Sequence, residues 1–579
     1  MPQPDRIVTS PVRLAGGLHL AHLTLLAAAD AVVRHHRAAG RTVEWPVASL
    51  AGDLGGQAAV ERQLSQSGQR RTDLGREGFV ERVKAFEADC RAATTAQLSE
   101  LAIEVDLEAG TTDRDAVAAA ARIAFVRLFE AGLLQREERV VGTCPWCETV
   151  VDQAESIPAD VPGERLGLRL QVLDDPAVDL VVDVTAPELL PGVVAVAVPA
   201  DHVAAGHKAQ IPVIDNAVPV VAEDEISTPT LVVPAHDADA FRTARRLGFV
   251  PIEVLDATGI VRVPGPLDGL ARYAARAAAR ELLEAEGAIA GAEETVEHLD
   301  RCRRCGTVLV PRLGQHWFLP MADLEVAAAD AVRQGAVEFA PAGARDVLLE
   351  RAGNGGDWCL SHQVWAGQPV PVATCLDCGS LEVAVDSSAS CGRCMGTLAP
   401  DDDVLDARFV GAMALLSDAG WPGDPAGPAT AASGTMLMVS GVGVSWWALP
   451  VAALGLRLAD AIPFAHVAAQ PVHAPPEEPD PTLPVDLEVR IAATGKRAVR
   501  AALVAGGLDI DAGAALVELV DAPPDGDGDV AELADACAAA FDAGTPSLAV
   551  THLSGFLAGG VRTTDAAGVA AVAAPILGE

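Results

Sequence analysis

Cysteine spacing constrains this chain more than any other feature. Cys144-Pro-Trp-Cys147 and Cys302-Arg-Arg-Cys305 are matching pairs held far apart in the sequence. Two residues between cysteines let both thiolates reach one tetrahedral metal, and two such pairs complete a four-thiolate shell. If the distant pairs share one ion, the chain between them leaves the body as an insertion and returns to its point of departure. Cys375, Cys378, Cys391 and Cys394 form a second set that closes locally and reads as a zinc ribbon. Most of the 11 cysteines fall into these two sets, so the spacing predicts two zinc ions rather than scattered buried thiols.

At 579 residues, 50% of them hydrophobic, the chain is long enough for several domains with separate cores. The start, Met1-Pro-Gln-Pro-Asp-Arg-Ile, lacks the charged head and apolar run of a signal peptide. Paired cysteines without such a signal favour metal over disulfides, and hence a cytoplasmic protein. The charge-free run Gly434 to Leu456 has the length of a membrane span. Its glycines, serines and Pro450 predict a buried strand, turn and helix instead. The net charge of −38 repels phosphates, and dense basic clusters are few: Arg70-Arg71, Arg245-Arg246 and Arg301 to Arg304. That balance weakens any reading as an extended nucleic-acid surface.

In chain order, Ile7 to Leu14 predicts a first strand, Ala15-Gly16-Gly17 a turn, and the stretch to about Ala39 a helix. Leu23, Leu26, Ala29 and Val33 recur there at helical spacing, and Gly40 stops it. Strand, glycine turn and helix open a nucleotide-binding α/β fold, in which the helix N-terminus faces phosphate. His19 and His22 stand near that N-terminus, placed either to bond a triphosphate or to act as capping or surface residues.

His19-Leu-Ala-His22 resembles the signature of class I aminoacyl-tRNA synthetases, and the rest of the chain resembles the valyl-tRNA synthetase branch. Val60-Glu-Arg-Gln-Leu64, Asp73 to Val83, Cys144 to Cys147, Pro234 to Asp237, Gln315 to Phe318, Asp357 to Ser361 and Asp403 to Asp406 are similar to consecutive stretches of that family. The resemblance implies an α/β fold whose Rossmann-like catalytic domain is split by a β-rich editing insertion. The implied layout places the first catalytic half at 1–157, the insertion at 158–263 and a return segment at 264–322. The second half, with the ribbon at 375–394, follows at 323–472. A short acidic, Ala-rich helical region at 473–579 is too small for a full anticodon-binding domain.

The resemblance also implies ATP, valine and tRNA as ligands, and here the sequence departs from the family pattern. Leu50 stands where an acid holds the substrate ammonium, with Asp53 nearby as a shifted replacement. Ala21 replaces the signature glycine and Val442 an adenosine-binding aspartate, while Trp447 is kept. Where a lysine-bearing loop is implied, the chain reads Gln470 to Asp480, acidic and proline-rich, and the next lysine is Lys496. In the editing stretch Val184 to Leu189 the arginine is lost and Thr185 remains. The turn Ile226-Ser227-Thr228 is altered. His236 and Asp237 persist, read either as an editing remnant or as a buried pair fixing a turn.

Several functions are compatible with this pattern. One is a non-catalytic paralogue that acts by binding an unknown protein partner, with ATP and tRNA as further candidate ligands and no membrane. A divergent but active valine–tRNA ligase is another, and an editing hydrolase a third. New ligase chemistry on a small acceptor is the last.

Overall fold

The structure is a computed structural model. It describes residues 4–470 apart from positions 14, 17–24, 27–28, 31, 34–35, 38–39, 101–102, 104, 108–113, 215, 225, 387–389 and 441–442. His19, Ala21, His22, Val442, Pro471 to Asp480, Lys496 and the 473–579 region lie outside the described residues. The chain falls into two compact units, one built from Met1–Leu133, Pro320–Asp357 and Trp365 onward, the other from Leu134–Leu319 and Trp358–Val364.

The first unit carries a parallel sheet in the spatial order Arg6–Thr9, Thr435–Ser440, His466–Gln470, Glu338–Ala340. Parallel strands are covered on both faces and therefore read as apolar runs. Ile7, Leu437 and Val439 are fully buried, and Ile7 packs with Leu25, Ala29 and Val33 of the first helical stretch and with Met436 and Met438. The charge-free run supplies the strand Thr435–Ser440, the helical turn Val444–Ala448 and most of the helix Leu449–Ala459. No helix among the described residues is long and apolar enough to cross a membrane.

The first strand is shorter than its predicted span of Ile7 to Leu14. Arg6–Thr9 lies in the parallel sheet, whereas Val12–Arg13 leaves it and pairs in parallel with Ser49–Leu50. Pro11 sits at the break and has no backbone N–H to give to a ladder. The diverted strand sets Arg13 opposite Leu50. Farther along the same unit, Leu381–Val383, Val372–Cys375 and Leu398–Pro400 form a small antiparallel sheet beneath the ribbon cysteines.

The second unit is β-rich. Its seven-stranded sheet runs Thr230–Val232, Ala195–Pro199, Asn216–Glu223, Lys208–Ile211, Ser156–Val172, Ile289–Cys302, with Asp179–Val184 also on Ser156–Val172. Alternation puts Leu166, Leu168, Leu170 and Val172 into a core with Val182, Val196, Val198 and Ile211. Helix Arg272–Ala285 precedes strand Ile289–Cys302, which pairs antiparallel with Ser156–Val172, from Ile289 opposite Leu168 to Cys302 opposite Ser156. This long pairing carries the chain back to where it left and ends at a cysteine.

Candidate functional site

Cys144 closes the strand Gln135–Cys144, and a tight turn brings Cys147 round before Thr149–Val150 pairs back. Glu148 takes a left-handed φ of 51° to make that turn, and its N–H donates to the Cys144 carbonyl at 2.8 Å. Cys302 and Cys305 form a second knuckle of the same design, in which the Gly306 N–H donates to the Cys302 carbonyl at 2.8 Å with a φ of 73°. The sulfurs of Cys144 and Cys305 lie 3.4 Å apart and those of Cys147 and Cys305 3.8 Å. All four lie within 4.8 Å of one another. Zinc–sulfur bonds of about 2.3 Å in a tetrahedron require sulfurs about 3.8 Å apart, so the four thiols fit one ion.

The ribbon repeats the arrangement. Cys375 and Cys394 sulfurs are 3.5 Å apart, Cys378 and Cys391 sulfurs 3.8 Å, and all four again lie within 4.8 Å. Cys375 and Cys391 are buried, while Cys378 and Cys394 are exposed. Both sequence-predicted clusters are therefore assembled, and each could hold a metal ion.

The residues singled out for editing each have separate backbone surroundings. His236 is buried; its Nδ1 lies 2.8 Å from the Pro311 carbonyl, and its Nε2 accepts from the Val254 N–H at 3.0 Å. A carbonyl only accepts and an N–H only donates, so these partners select the neutral ring with the proton on Nδ1. Asp237 is exposed and caps helix Ala238–Leu247, accepting from the Ala240 N–H at 2.7 Å. The expectation of a buried His-Asp pair is therefore corrected: only the histidine is buried, and each side chain has its own backbone partners. Thr185 stands exposed on a bend after strand Asp179–Val184.

The buried polar group of that stretch is Glu188, which sequence reading passed over. It is fully buried and meets Arg272 Nε at 3.2 Å and Arg276 at 2.9 Å, while Arg276 also bonds Glu297 at 2.6 Å. Arg272 donates further to the Leu309 carbonyl at 3.3 Å. The arginines stand four apart on one helix, a spacing that puts both on one face. That spacing, with a lone glutamate after Pro187, was the available signal.

In the first unit, Leu50 is buried opposite Arg13. A Cβ placed on Gly411 would lie 2.8 Å from the Trp447 ring edge, 3.1 Å from Leu50 and 3.4 Å from Pro11, so these apolar groups converge over one glycine. Asp53, the nearby acid, is 2% exposed and already engaged. It caps helix Leu54–Gln66 by accepting from the Gly56 N–H at 2.8 Å and is ion-paired with Arg13.

Burial lowers the pKa of both His236 and His316 to about 4. For His316 the neighbouring His362, Arg312 and Arg136 act in the same direction. Unfolding frees both rings to titrate near 6.5, so the unfolded state takes up protons first as pH falls. The second unit should hold its full stability above about pH 6.5 and lose about 2–3 kcal/mol per histidine by pH 4. Urea midpoints between pH 7.5 and pH 4 would check this, and His236→Gln should flatten part of the slope.

A parallel nucleotide-type sheet, a β-rich insertion-like unit and two four-cysteine clusters define a class of protein. The chain belongs to the class I tRNA synthetases (I, L, M and V), whose family model matches residues 6–473. More particularly, it is similar to the valine–tRNA ligase of Desulfotalea psychrophila, 31% identical over 473 residues, covering 80% of this chain and 53% of that one. It is likewise similar to the valine–tRNA ligase of Geobacter sulfurreducens, 32% identical over 475 residues, with 80% and 53% covered. The chain spans about half the length of the curated relatives it matches. Among solved structures, it is similar to the LeuRS chain of the Agrobacterium radiobacter K84 agnB2 LeuRS-tRNA-LeuAMS ternary complex, with a TM-score of 0.44 at 15% identity, covering 99% of this chain and 82% of that chain.

Proposed function

We propose that this synthetase-like chain acts by binding a protein partner in the cytoplasm and does not activate valine. The observation that carries this reading is the apolar convergence of Pro11, Leu50 and Trp447 over Gly411. The resemblance places the ammonium of valine against an acid at position 50, and an apolar side chain there leaves that charge unpaired. A buried unpaired charge costs several kcal/mol. Asp53 does not substitute, because the helix cap and Arg13 both use its carboxylate. Valine added to the purified protein in a calorimeter should give no binding heat at millimolar concentration; saturable micromolar binding would overturn the proposal.

An editing hydrolase is less well supported. A working editing pocket would present the side chains of His236 and Asp237 to a bound ester. His236 instead holds Pro311 and Val254 together, and Asp237 caps a helix.

In this reading both cysteine clusters hold zinc and serve folding. Zinc bound by four thiolates contributes directly to folding free energy, since the site exists only in the folded chain. Elemental analysis of protein purified without chelator should give two zinc ions per chain, and Cys391→Ser should give one. Protein free of metal would remove this part of the proposal.

A further inference from the structure

Oxidant access differs sharply between the two four-cysteine clusters, and local charge differs in the same direction by a smaller margin. In the cluster of Cys144, Cys147, Cys302 and Cys305, three sulfur-bearing residues are fully buried and Cys305 is partly covered. Its second knuckle places Arg303 and Arg304 between the cysteines, and Arg304 is held against Glu155 at 2.7 Å. In the ribbon, Cys378 and Cys394 are exposed, as are the neighbouring side chains Leu376 (69%) and Met395 (75%).

Charge reinforces exposure. Four thiolates around one divalent ion carry a net charge of −2, so a nearby cation stabilises the complex and a nearby anion weakens it. The ribbon also has a cation between its cysteines, Arg393, but it sets two acids against it: Asp377 lies between Cys375 and Cys378, and the Glu382 carboxylate is 3.6 Å from the Cys391 sulfur, fixed there by the Gly392 N–H at 3.0 Å. Ser380 Oγ lies 3.2 Å from the sulfurs of both Cys378 and Cys391 and is the neutral polar neighbour on that side.

We infer that the ribbon is a redox-labile zinc site, oxidised by hydroperoxides with release of its ion while the buried cluster keeps its own. The inference rests on the proposal that both clusters hold zinc. In the step, an exposed thiolate such as Cys394 attacks the peroxide O–O bond, taking one oxygen as a sulfenic acid and expelling hydroxide. Cys375, whose sulfur is 3.5 Å away, then attacks that sulfur, forms a disulfide and expels a second hydroxide. Two protons convert the hydroxides to water, so two thiolates lose two electrons and one peroxide gains them. With two ligands gone, the remaining pair no longer retains Zn²⁺ and the ion leaves.

The test uses the full chain with its zinc. Zinc released during a hydrogen peroxide titration is followed with a chromogenic chelator, and oxidised cysteines are mapped by mass spectrometry. The expected result is release of one of two ions, with disulfides confined to the ribbon and Cys144, Cys147, Cys302 and Cys305 still alkylatable after denaturation. Glu382→Gln, which retains all eight ligands, should slow release several-fold. Cys391→Ser should start with one zinc and release none over the same peroxide range. Simultaneous loss of both ions, earlier loss from the buried cluster, or one ion released from wild type and Cys391→Ser alike would overturn the inference. A protein purified with no zinc would instead defeat the metal reading on which it rests.

Discussion

Glu188→Ala is expected to lower the unfolding free energy of the second unit by about 3–5 kcal/mol, the range for removing one partner of a buried ion pair. The carboxylate is fully buried between Arg272 and Arg276. Its loss leaves two guanidinium groups in the interior, one still bonded to Glu297 and the other to the Leu309 carbonyl. Neither acceptor replaces the lost charge. Glu188→Gln keeps the shape and one acceptor oxygen but turns the other oxygen into an NH₂ donor and removes the charge, so its loss should be smaller than that of the alanine variant but not small. Arg280→Ala removes an arginine from the same helix, but one whose partner Glu164 is substantially exposed, and its midpoint should barely move. Urea unfolding followed by far-ultraviolet dichroism separates the three variants. A Glu188→Ala protein as stable as its parent would show that the network is not a source of stability.

Both cysteine clusters were legible in the sequence because the signal is local arithmetic: two residues between ligands is a geometric requirement of the knuckle. The spatial union of the distant pairs is a tertiary fact. It depends on strand Ile289–Cys302 running back along Ser156–Val172 until Cys302 faces Ser156. Alternation in Leu166 to Val172 announced a strand but could not name its partner. The parallel sheet was legible from apolar runs and glycine turns, yet the end of its first strand was misplaced, because Val12 and Arg13 are strand-forming in themselves. Only their pairing with Ser49 and Leu50 reveals that they serve a different sheet.

The roles of individual polar residues were the least legible. His236 and Asp237 are adjacent in sequence and suggest joint chemistry. Burial divides them: one is enclosed by Pro311 and Val254, while the other sits at an exposed helix start. Asp53 carried an ambiguity of alignment, and its helix cap and ion pair with Arg13 were not visible in the sequence. Glu188 escaped notice because its one signal, the pair of arginines four apart on helix Arg272–Ala285, lies far along the chain, and only the fold joins it to the glutamate.

The central claim is that this chain does not carry out the first step of aminoacylation. That step joins an ammonium, a carboxylate and a triphosphate in one site, so it needs an acid for the first and cations for the last. Leu50 supplies no acid, and Trp447 and Pro11 close the same apolar wall over Gly411. Losing one such contact typically costs about 10²–10³ in rate, and effects within one site do not simply add. The most direct measurement is valine-dependent exchange of labelled pyrophosphate into ATP by the full chain. The account predicts exchange no faster than in reactions without valine, even at millimolar valine and ATP. Exchange that saturates with valine and disappears in His22→Ala would contradict it and identify the chain as a working ligase.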